Sequence, residues 1–343
     1  MTDRKRVPRK SLDALIQKLM DAKRQVFGPK KTGDRTDFGP VRSAAEMDDA
    51  YLQSDQSPKF LLFPKAEALF RFRVEEAGMS IRDRNPDPEG IPGKVLLGVH
   101  PCDAAAIGAL KPLFLADTPD PLFARRLDQL TVIGLSCGSA DGDCFCASMG
   151  GGPGATKGSD ILLTRLADGD FLAEILSAKG EEIVLLAPGL FLPASNEEKE
   201  SRLAKVDSPP FAPEKLSARL KALFDRKAFW TDQSLRCIGC GACACVCPAC
   251  ACFDIQDEGS RETGVRLRCW DSCGFSLFTL HASGHNPREL QSQRWRQRVM
   301  HKFSYMPEIF GLSGCVGCGR CSRACPAGIN LLEHLRAVME EKP

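Results

Sequence analysis

The first half of the chain contains several short apolar runs that are rich in branched side chains. Runs of this kind predict β-strands, some of them buried on both faces of a sheet. Helical patterns lie between them, for example over residues 11–22 and 66–76. The alternation of the two patterns predicts a mixed α/β region over residues 1–230. Its strand candidates are residues 59–63, 94–99, 131–135, 161–163 and 183–186.

The pattern changes in the last third of the chain. Residues 195–213 are charged and contain serine and proline, which predicts a linker, and a helix is predicted over 213–229. From residue 235 onward, cysteines replace the regular apolar periodicity. We expect short helices and loops there, with one longer helix over residues 287–302.

Composition narrows the class of protein. The 343 residues include 17 cysteines and carry a formal net charge of +2, which gives no reason to expect nucleic acid as a partner. No apolar run approaches the roughly 20 residues that span a bilayer. The basic start of the chain is not followed by an apolar segment, so we expect no secretory signal. Clustered cysteines without an export signal indicate a cytoplasmic protein that binds metal rather than one stabilised by disulfides.

One cysteine motif occurs twice, at residues 237–248 and 315–326, with the spacing C-x2-C-x2-C-x3-C-P. This spacing is typical of bacterial ferredoxins that bind [4Fe–4S] clusters, in which the fourth cysteine of each motif ligates the other cluster. Zinc also accepts four thiolates, but zinc sites usually appear as separated C-x2-C pairs. The predicted ligands are therefore Cys237, Cys240, Cys243 and Cys325 for the first cluster, and Cys315, Cys318, Cys321 and Cys247 for the second.

Four more cysteines follow predicted strands in the N-terminal region. Loops at strand ends are where α/β folds place functional groups, and four thiolates suffice for one further [4Fe–4S] cluster. A zinc site and buried, unliganded thiols are the alternatives. The candidate ligands of this third cluster are Cys102, Cys137, Cys144 and Cys146.

The remaining five cysteines follow or interrupt the first motif. Cys245 lies inside the motif loop, where a further ligand would be redundant, so we expect it to pack. The other four form a candidate further site or shield the first cluster. They are Cys250, Cys252, Cys269 and Cys273.

The stretch 288–302 is strongly basic. Nucleic-acid or membrane binding would be one use of a basic amphipathic helix. Cations beside a cluster that carries net negative charge lower the cost of burying it and raise its potential, and charged patches also steer docking. We therefore expect this helix to serve the clusters or a partner.

Several segments together resemble the iron–sulfur β subunits of cytoplasmic NiFe hydrogenase/sulfur reductase complexes, a family that includes the A subunit of anaerobic sulfite reductase. The resemblance extends from about residue 55 to 335. The ferredoxin motif is widespread, but its combination with the two N-terminal cysteine loops and with C-P-x-C-x-C before W-D-S-C is much more specific. The segments are residues 98–110, 137–150, 237–255, 270–275, 283–289 and 315–329.

The resemblance implies an electron-transfer subunit that is not catalytic alone. It implies a partner that binds FAD and NAD(P), and a catalytic partner of NiFe hydrogenase, sirohaem sulfite reductase or heterodisulfide-reductase type. The rival hypothesis is a sulfur-substrate reductase with its own site-differentiated cluster. No G-x-G-x-x-G fingerprint follows a strand, which agrees with nicotinamide and flavin on a partner.

These expectations define an α+β protein. The N-terminal mixed α/β domain, residues 1–230, would contain the four-cysteine site. A mostly helical, ferredoxin-like dicluster domain would follow over residues 231–343.

Overall fold

The computed structural model describes residues 3–75, 78–83, 93–194, 199–206 and 212–341. The strands are β1 (Asp3–Val7), β2 (Gln25–Thr32), β3 (Arg35–Pro40), β4 (Ala66–Glu75), β5 (Gly78–Asp83), β6 (Lys94–Val99), β7 (Leu130–Leu135), β8 (Ile161–Arg165), β9 (Phe171–Ile175), β10 (Leu192–Pro193), β11 (Phe253–Gly259) and β12 (Thr263–Trp270). The α-helices are α1 (Leu12–Asp21), α2 (Pro101–Leu115), α3 (Pro121–Gln129), α4 (Ala178–Leu186), α5 (Pro213–Ala222), α6 (Lys227–Ser234), α7 (Ala242–Cys245), α8 (Gln291–Met300), α9 (Met306–Phe310), α10 (Arg320–Arg323) and α11 (Leu331–Glu340).

An eight-stranded sheet organises the N-terminal region, in the order β10-β1-β9-β8-β7-β6-β2-β3. Its centre, β2-β6-β7-β8, is parallel. Val95 and Leu97 of β6 pack into one core with α1, whereas Leu96 packs into a second core with α2 and α3. Successive residues of a strand point to opposite faces, so both faces of this sheet are covered, as the apolar runs at 94–99 and 131–135 predict.

The parallel pairing of β6 and β7 determines where the site lies. Val95 pairs with Thr131 and Leu96 with Val132, so both strands end at the same edge of the sheet. The chain leaves β6 directly into α2, which begins at Pro101, and leaves β7 into a loop that runs to Met149. Cys102 and Cys137 therefore start from neighbouring points on that edge.

A second, four-stranded antiparallel sheet has the order β11-β12-β4-β5. The helix predicted over 66–76 is wrong, because residues 66–75 form β4, which pairs with β12 from Ala66↔Cys269 to Arg73↔Thr263; residue 76 lies outside the described residues. Phe70-Arg71-Phe72-Arg73 alternates with a period of two, which is a strand signal. This sheet joins residues on both sides of the boundary predicted at 230/231, and that boundary stays a prediction.

Three other local predictions are corrected. Residues 59–63 contain a 3-10 turn, Pro58–Leu61, rather than a strand. Residues 183–186 end helix α4, which begins where the hydroxyl of Ser177 accepts a hydrogen bond from the Gly180 N–H. The helix predicted over 213–229 is two helices, α5 and α6. Of the predicted linker 195–213, residues 195–198 and 207–211 lie outside the described residues.

A separate helical core forms around α5, α6, α8 and α11. Trp230, Trp295 and Leu335 are buried in it. The predicted helix 287–302 is α8, which continues through a π-helical segment, His301–Tyr305, into α9. The structure therefore combines helices and sheets, as predicted. In the part of the chain that the structure describes, no helix is both long and apolar enough to cross a membrane.

Candidate metal centres

The first motif folds tightly around a cavity. Gly239 and Gly241 have φ angles of +69° and +71°, a left-handed conformation that other residues adopt at a cost. These turns direct the first three cysteines of the motif inward, and the last cysteine of the second motif joins them from the opposite side. The cavity lining thus includes the full predicted set: Cys237, Cys240, Cys243 and Cys325.

Two features distinguish this first cavity. Gln291 Nε2 donates a hydrogen bond to Cys237 Sγ at 3.0 Å. Cys240 is the one exposed cysteine among the 17, all of which lie in the described residues. The first motif therefore lies at the protein surface, with one sulfur held by an amide from α8.

The second motif is more deeply buried. Its glycines, Gly317 and Gly319, also adopt positive φ angles, of +66° and +70°. Cys247 of the first motif belongs to a small apolar cluster against which Val316 of the second motif packs. Lys302 lies between the two motifs, donates to Cys247 Sγ at 3.4 Å, and is under the electrostatic influence of Cys315. Cys247 and Cys315 thus lie around the same lysine, and the crossed ligand assignment stays a prediction.

The four N-terminal candidate cysteines line a single cavity together with Cys318 of the second motif. They are Cys102, Cys137, Cys144 and Cys146. The loop that contains the last two packs directly against the second motif, since the Phe145 N–H donates to the Gly317 carbonyl at 2.8 Å. Phe145 itself is 1% exposed and belongs to the helical core. The N-terminal cysteine site and the second motif are therefore one packed unit.

Ion pairs reinforce this contact. Arg323 binds the Asp141 carboxylate and donates to Cys144 Sγ at 3.2 Å. The hydrogen bond from Arg323 lowers the pKa of Asp141 to about 2. Arg320, on the same short helix, binds Asp103 one residue after Cys102. Two arginines of the second motif thus hold two of the N-terminal cysteine segments in place.

The structure brings together three of the four cysteines of the candidate further site. Cys250, Cys252 and Cys273 line one cavity. Cys269 does not belong to it, because alternation along β12 places its side chain opposite to those of Arg268 and Trp270, near Asp254 and Glu258. Cys245 lies near Cys250, and burial raises the pKa of its thiol.

Buried cations surround these sulfurs. Lys59, Arg298 and Lys302 are 6%, 4% and 4% exposed, and among the described residues no carboxylate pairs with any of the three. Lys59 donates to the carbonyls of Ala244 and Cys250. Arg298 donates to the Cys243 carbonyl at 2.9 Å and to Cys250 Sγ at 3.4 Å. Buried charges require compensation, and cysteine thiolates are the acidic groups within reach.

Burial and mutual proximity shift the pKa values of these cations and thiols. Burial lowers the pKa of Arg298, but Cys243, Cys250 and Cys321 together outweigh it and raise that pKa above its ordinary value. Burial also raises the pKa of the Cys321 thiol to about 12 and that of Cys146 to about 11. A bound metal cation ionises such thiols outright, so the donor set fits clusters with thiolate ligands.

A single metal ion needs its ligands closer together than a cluster does. Within the described ranges, no group of three or more His, Cys, Asp or Glu side chains is placed to hold one metal ion. Four thiolates on the four irons of a cubane are spread further apart than four thiolates on one ion. The choice between a cluster and zinc at the N-terminal cysteines stays a prediction.

Sequence reasoning missed several residues around the sulfurs. Nothing local identifies Lys59, Asp103 or Gln291, because each reaches its site through pairing or packing between distant segments. Arg298 and Lys302 did give a signal, since the basic stretch 288–302 predicted cations near a cluster. Their contacts with Cys250 and Cys247 agree with that expectation.

Comparisons with known proteins agree with this geometry. Residues 236–329 match a family model described as a 4Fe-4S dicluster domain. The chain is 33% identical over 323 residues to sulfhydrogenase 2 subunit beta of Pyrococcus furiosus, and the match covers 92% of each chain. No solved structure matches.

Proposed function

The chain belongs to the family of iron–sulfur β subunits of hydrogenase and sulfur reductase complexes, and from that premise we propose that it relays electrons between a flavin- and NAD(P)-binding subunit and a catalytic subunit. Membership of the family makes iron–sulfur electron transfer within such a complex its function. The catalytic partner would be of NiFe hydrogenase, sirohaem sulfite reductase or heterodisulfide-reductase type.

One observation carries this proposal: the three cysteine sets adjoin one another in series. Cys321 of the second set also lines the cavity of the first set. Cys318 of the second set also lines the cavity of the N-terminal set. When bound, a [4Fe–4S] cluster accepts and donates one electron at a time. A row of such sites, from the surface at Cys240 to the sheet edge at Cys102, suits a relay.

We propose three clusters. Cys237, Cys240, Cys243 and Cys325 would hold the first, and Cys315, Cys318, Cys321 and Cys247 the second. Cys102, Cys137, Cys144 and Cys146 would hold the third. Because the third cavity offers four cysteines, it gives no specific support to the rival hypothesis of an open iron position there.

The role of the chain's own residues is to exclude water and to set charge. Arg298 and Lys302 lie between the motifs, where their positive charge favours the reduced form of a nearby cluster. Gln291 adds a hydrogen bond to one sulfur, which acts in the same direction.

Iron and acid-labile sulfide per chain test the cluster count on anaerobically purified protein. Three clusters predict about 12 of each, and C144S should reduce the count to about 8. C269S is the matched control and should retain about 12. A wild-type count of about 8, unchanged in C144S, would contradict the third cluster.

A reconstituted complex tests the relay. Electron transfer from NAD(P)H to the catalytic subunit should require this chain and should fail with C321A. Turnover of sulfite, polysulfide or a heterodisulfide by the isolated chain would instead favour the reductase hypothesis.

A further inference from the structure

Two thiols outside the three cluster sets are in direct contact. Cys252, just before β11, and Cys273, just after β12, hydrogen-bond to each other through their side chains. In the N-terminal cluster set, by contrast, Cys137 and Cys146 affect each other through charge.

Contact between two sulfurs has chemical consequences. The four thiolates of a cubane each bind a different iron, which keeps them apart, whereas two neighbouring sulfurs can be joined directly as a disulfide. Both thiols line a cavity, so water can reach them. The antiparallel pairing of β11 with β12, which matches Phe253 with Trp270, brings the two chain segments together, and the Asp271 N–H donates to the Cys252 carbonyl at 3.0 Å, two residues before Cys273.

A sulfur path links this pair to the second cluster set. Cys250 is close enough to influence both Cys252 and Cys273 electrostatically. Cys250 in turn hydrogen-bonds to Cys247, a proposed ligand of the second cluster. The pair is therefore two short steps from a proposed source of electrons.

We propose that Cys252 and Cys273 form a redox-active pair that cycles between a disulfide and two thiols. In the reductive direction the S–S bond breaks, two electrons enter, and each sulfur takes one proton from water in the cavity. The reverse reaction returns two electrons and two protons. The proposal rests on the relay described above, which delivers the electrons singly, and the pair stores two of them.

The surroundings favour the reduced form. Arg298 and Lys302 also line the cavity, and the positive charge of Arg298 acts on both thiols. Positive charge stabilises any thiolate formed during reduction. Neither cysteine is exposed, so large oxidants have limited access to them.

Peptide mapping on the cluster-loaded, full-length chain tests the pair. The protein is poised anaerobically with redox mediators over a range of potentials, then denatured in an alkylating agent and digested. We expect a linked Cys252–Cys273 peptide at high potential that disappears at low potential. Its ratio to the alkylated form should change tenfold for about every 30 mV, as for a two-electron couple.

Matched variants separate the pair from a cluster site. C273S should leave Cys252 alkylated at every potential and keep the wild-type iron content. C269S, four positions away on β12, should leave the linked peptide unchanged. If C273S does not fold, peptide mapping of the wild-type protein still shows whether the linked Cys252–Cys273 peptide forms and disappears with potential.

Two outcomes would overturn the proposal. One is alkylation of both cysteines at every potential in the wild-type protein. The other is the loss of about four irons per chain from C252S or C273S but not from C269S, which would make them ligands of a fourth cluster. Failure of the relay itself would appear differently, as a wild-type chain without the iron of the repeated motifs.

Discussion

The guanidinium of Arg320 makes two parallel hydrogen bonds of 2.8 Å to the carboxylate of Asp103. Both residues are almost fully buried, at 2% and 3% exposed. Arg320 follows Cys318 by two residues, and Asp103 follows Cys102 by one. One bidentate ion pair therefore connects the second ferredoxin motif to the helix that presents the first N-terminal cysteine.

Arg320→Met should destabilise the protein, because it leaves the Asp103 charge buried without a partner. Breaking a buried ion pair from one side typically costs about 3–5 kcal/mol. Anaerobic denaturant titration with parallel iron analysis measures the effect. Arg266→Met is the control, since it removes an exposed pair with Asp257 and should change stability little. Equal effects of the two substitutions would contradict a structural role for the buried pair.

Gly319→Ala should disrupt the second and third sites together. Gly319 has a φ of +70°, and an added Cβ would lie 2.4 Å from the Asp143 carbonyl oxygen. Iron content should therefore fall in both sites.

Gly239→Ala in the first motif is the matched control. Its φ is +69°, but its nearest neighbour is the end of the Gln291 side chain, at 3.3 Å. The left-handed conformation alone costs about 1–2 kcal/mol, so this variant should retain most of its iron. Similar iron losses in both variants would show that backbone conformation, not packing against the N-terminal loop, limits the second motif.

Gln291→Leu should lower the reduction potential of the first cluster without loss of iron. The amide of Gln291 donates to Cys237 Sγ at 3.0 Å, and a hydrogen bond to a ligand sulfur stabilises the reduced state. A net contribution near 1 kcal/mol corresponds to roughly 40 mV for one electron. A potentiometric titration followed by electron paramagnetic resonance measures the shift. An unchanged potential would contradict this hydrogen bond.

Arg298→Gln should lower the potentials of the clusters on both sides of it. Arg298 donates to Cys250 Sγ and lies within electrostatic reach of Cys243 and Cys321. Loss of a buried charge with such contacts should lower a potential by on the order of 100 mV.

Arg296→Gln, on the same helix, is the control. Arg296 stacks on the Phe224 ring, 4.0 Å from its centre, and donates to the Phe224 carbonyl, away from the sulfurs. The same titration should show no shift for this variant. A shift of equal size in both would assign the effect to the helix rather than to the buried charge.

The sequence predicts those features of the fold and the site that depend on nearby residues. The strands at 94–99 and 131–135 are contiguous apolar runs, and their strand ends correctly place Cys102 and Cys137 at one edge of the sheet. The spacing of the repeated motifs predicts which cysteines meet, and Cys325 does reach the cavity of the first motif.

Features that depend on distant pairing were not predicted. Residues 66–76 contain both helix formers and an alternating segment, and pairing with β12, almost 200 residues later, selects the strand. The same pairing separates Cys269 from Cys273, since Cys269 lies within β12, whereas Cys273 follows the end of the strand at Trp270. Asp103 and Gln291 are unremarkable in sequence and acquire a role only through packing between segments.

The stability of the helical core should depend on pH through His334. Its Nδ1 lies 2.7 Å from Gln233 Oε1, so Nδ1 carries the proton, and its Nε2 is buried without a hydrogen-bond partner. Burial lowers the pKa of His334 to about 4, from a usual value near 6.5. Because the folded state favours the neutral ring, this residue's contribution to stability is present above pH 6.5 and is lost as the pH falls towards 4.

Between pH 7 and pH 5 the loss amounts to about 2 kcal/mol. His334→Gln removes the titration, so the difference in stability between wild type and variant should shrink by that amount over this range. Anaerobic thermal unfolding at pH 7 and pH 5 measures it, and both pH values lie well above the range in which Asp141 titrates. A parallel decrease in both proteins would mean that protonation of His334 does not contribute, and that its ring is accessible to water in the folded state.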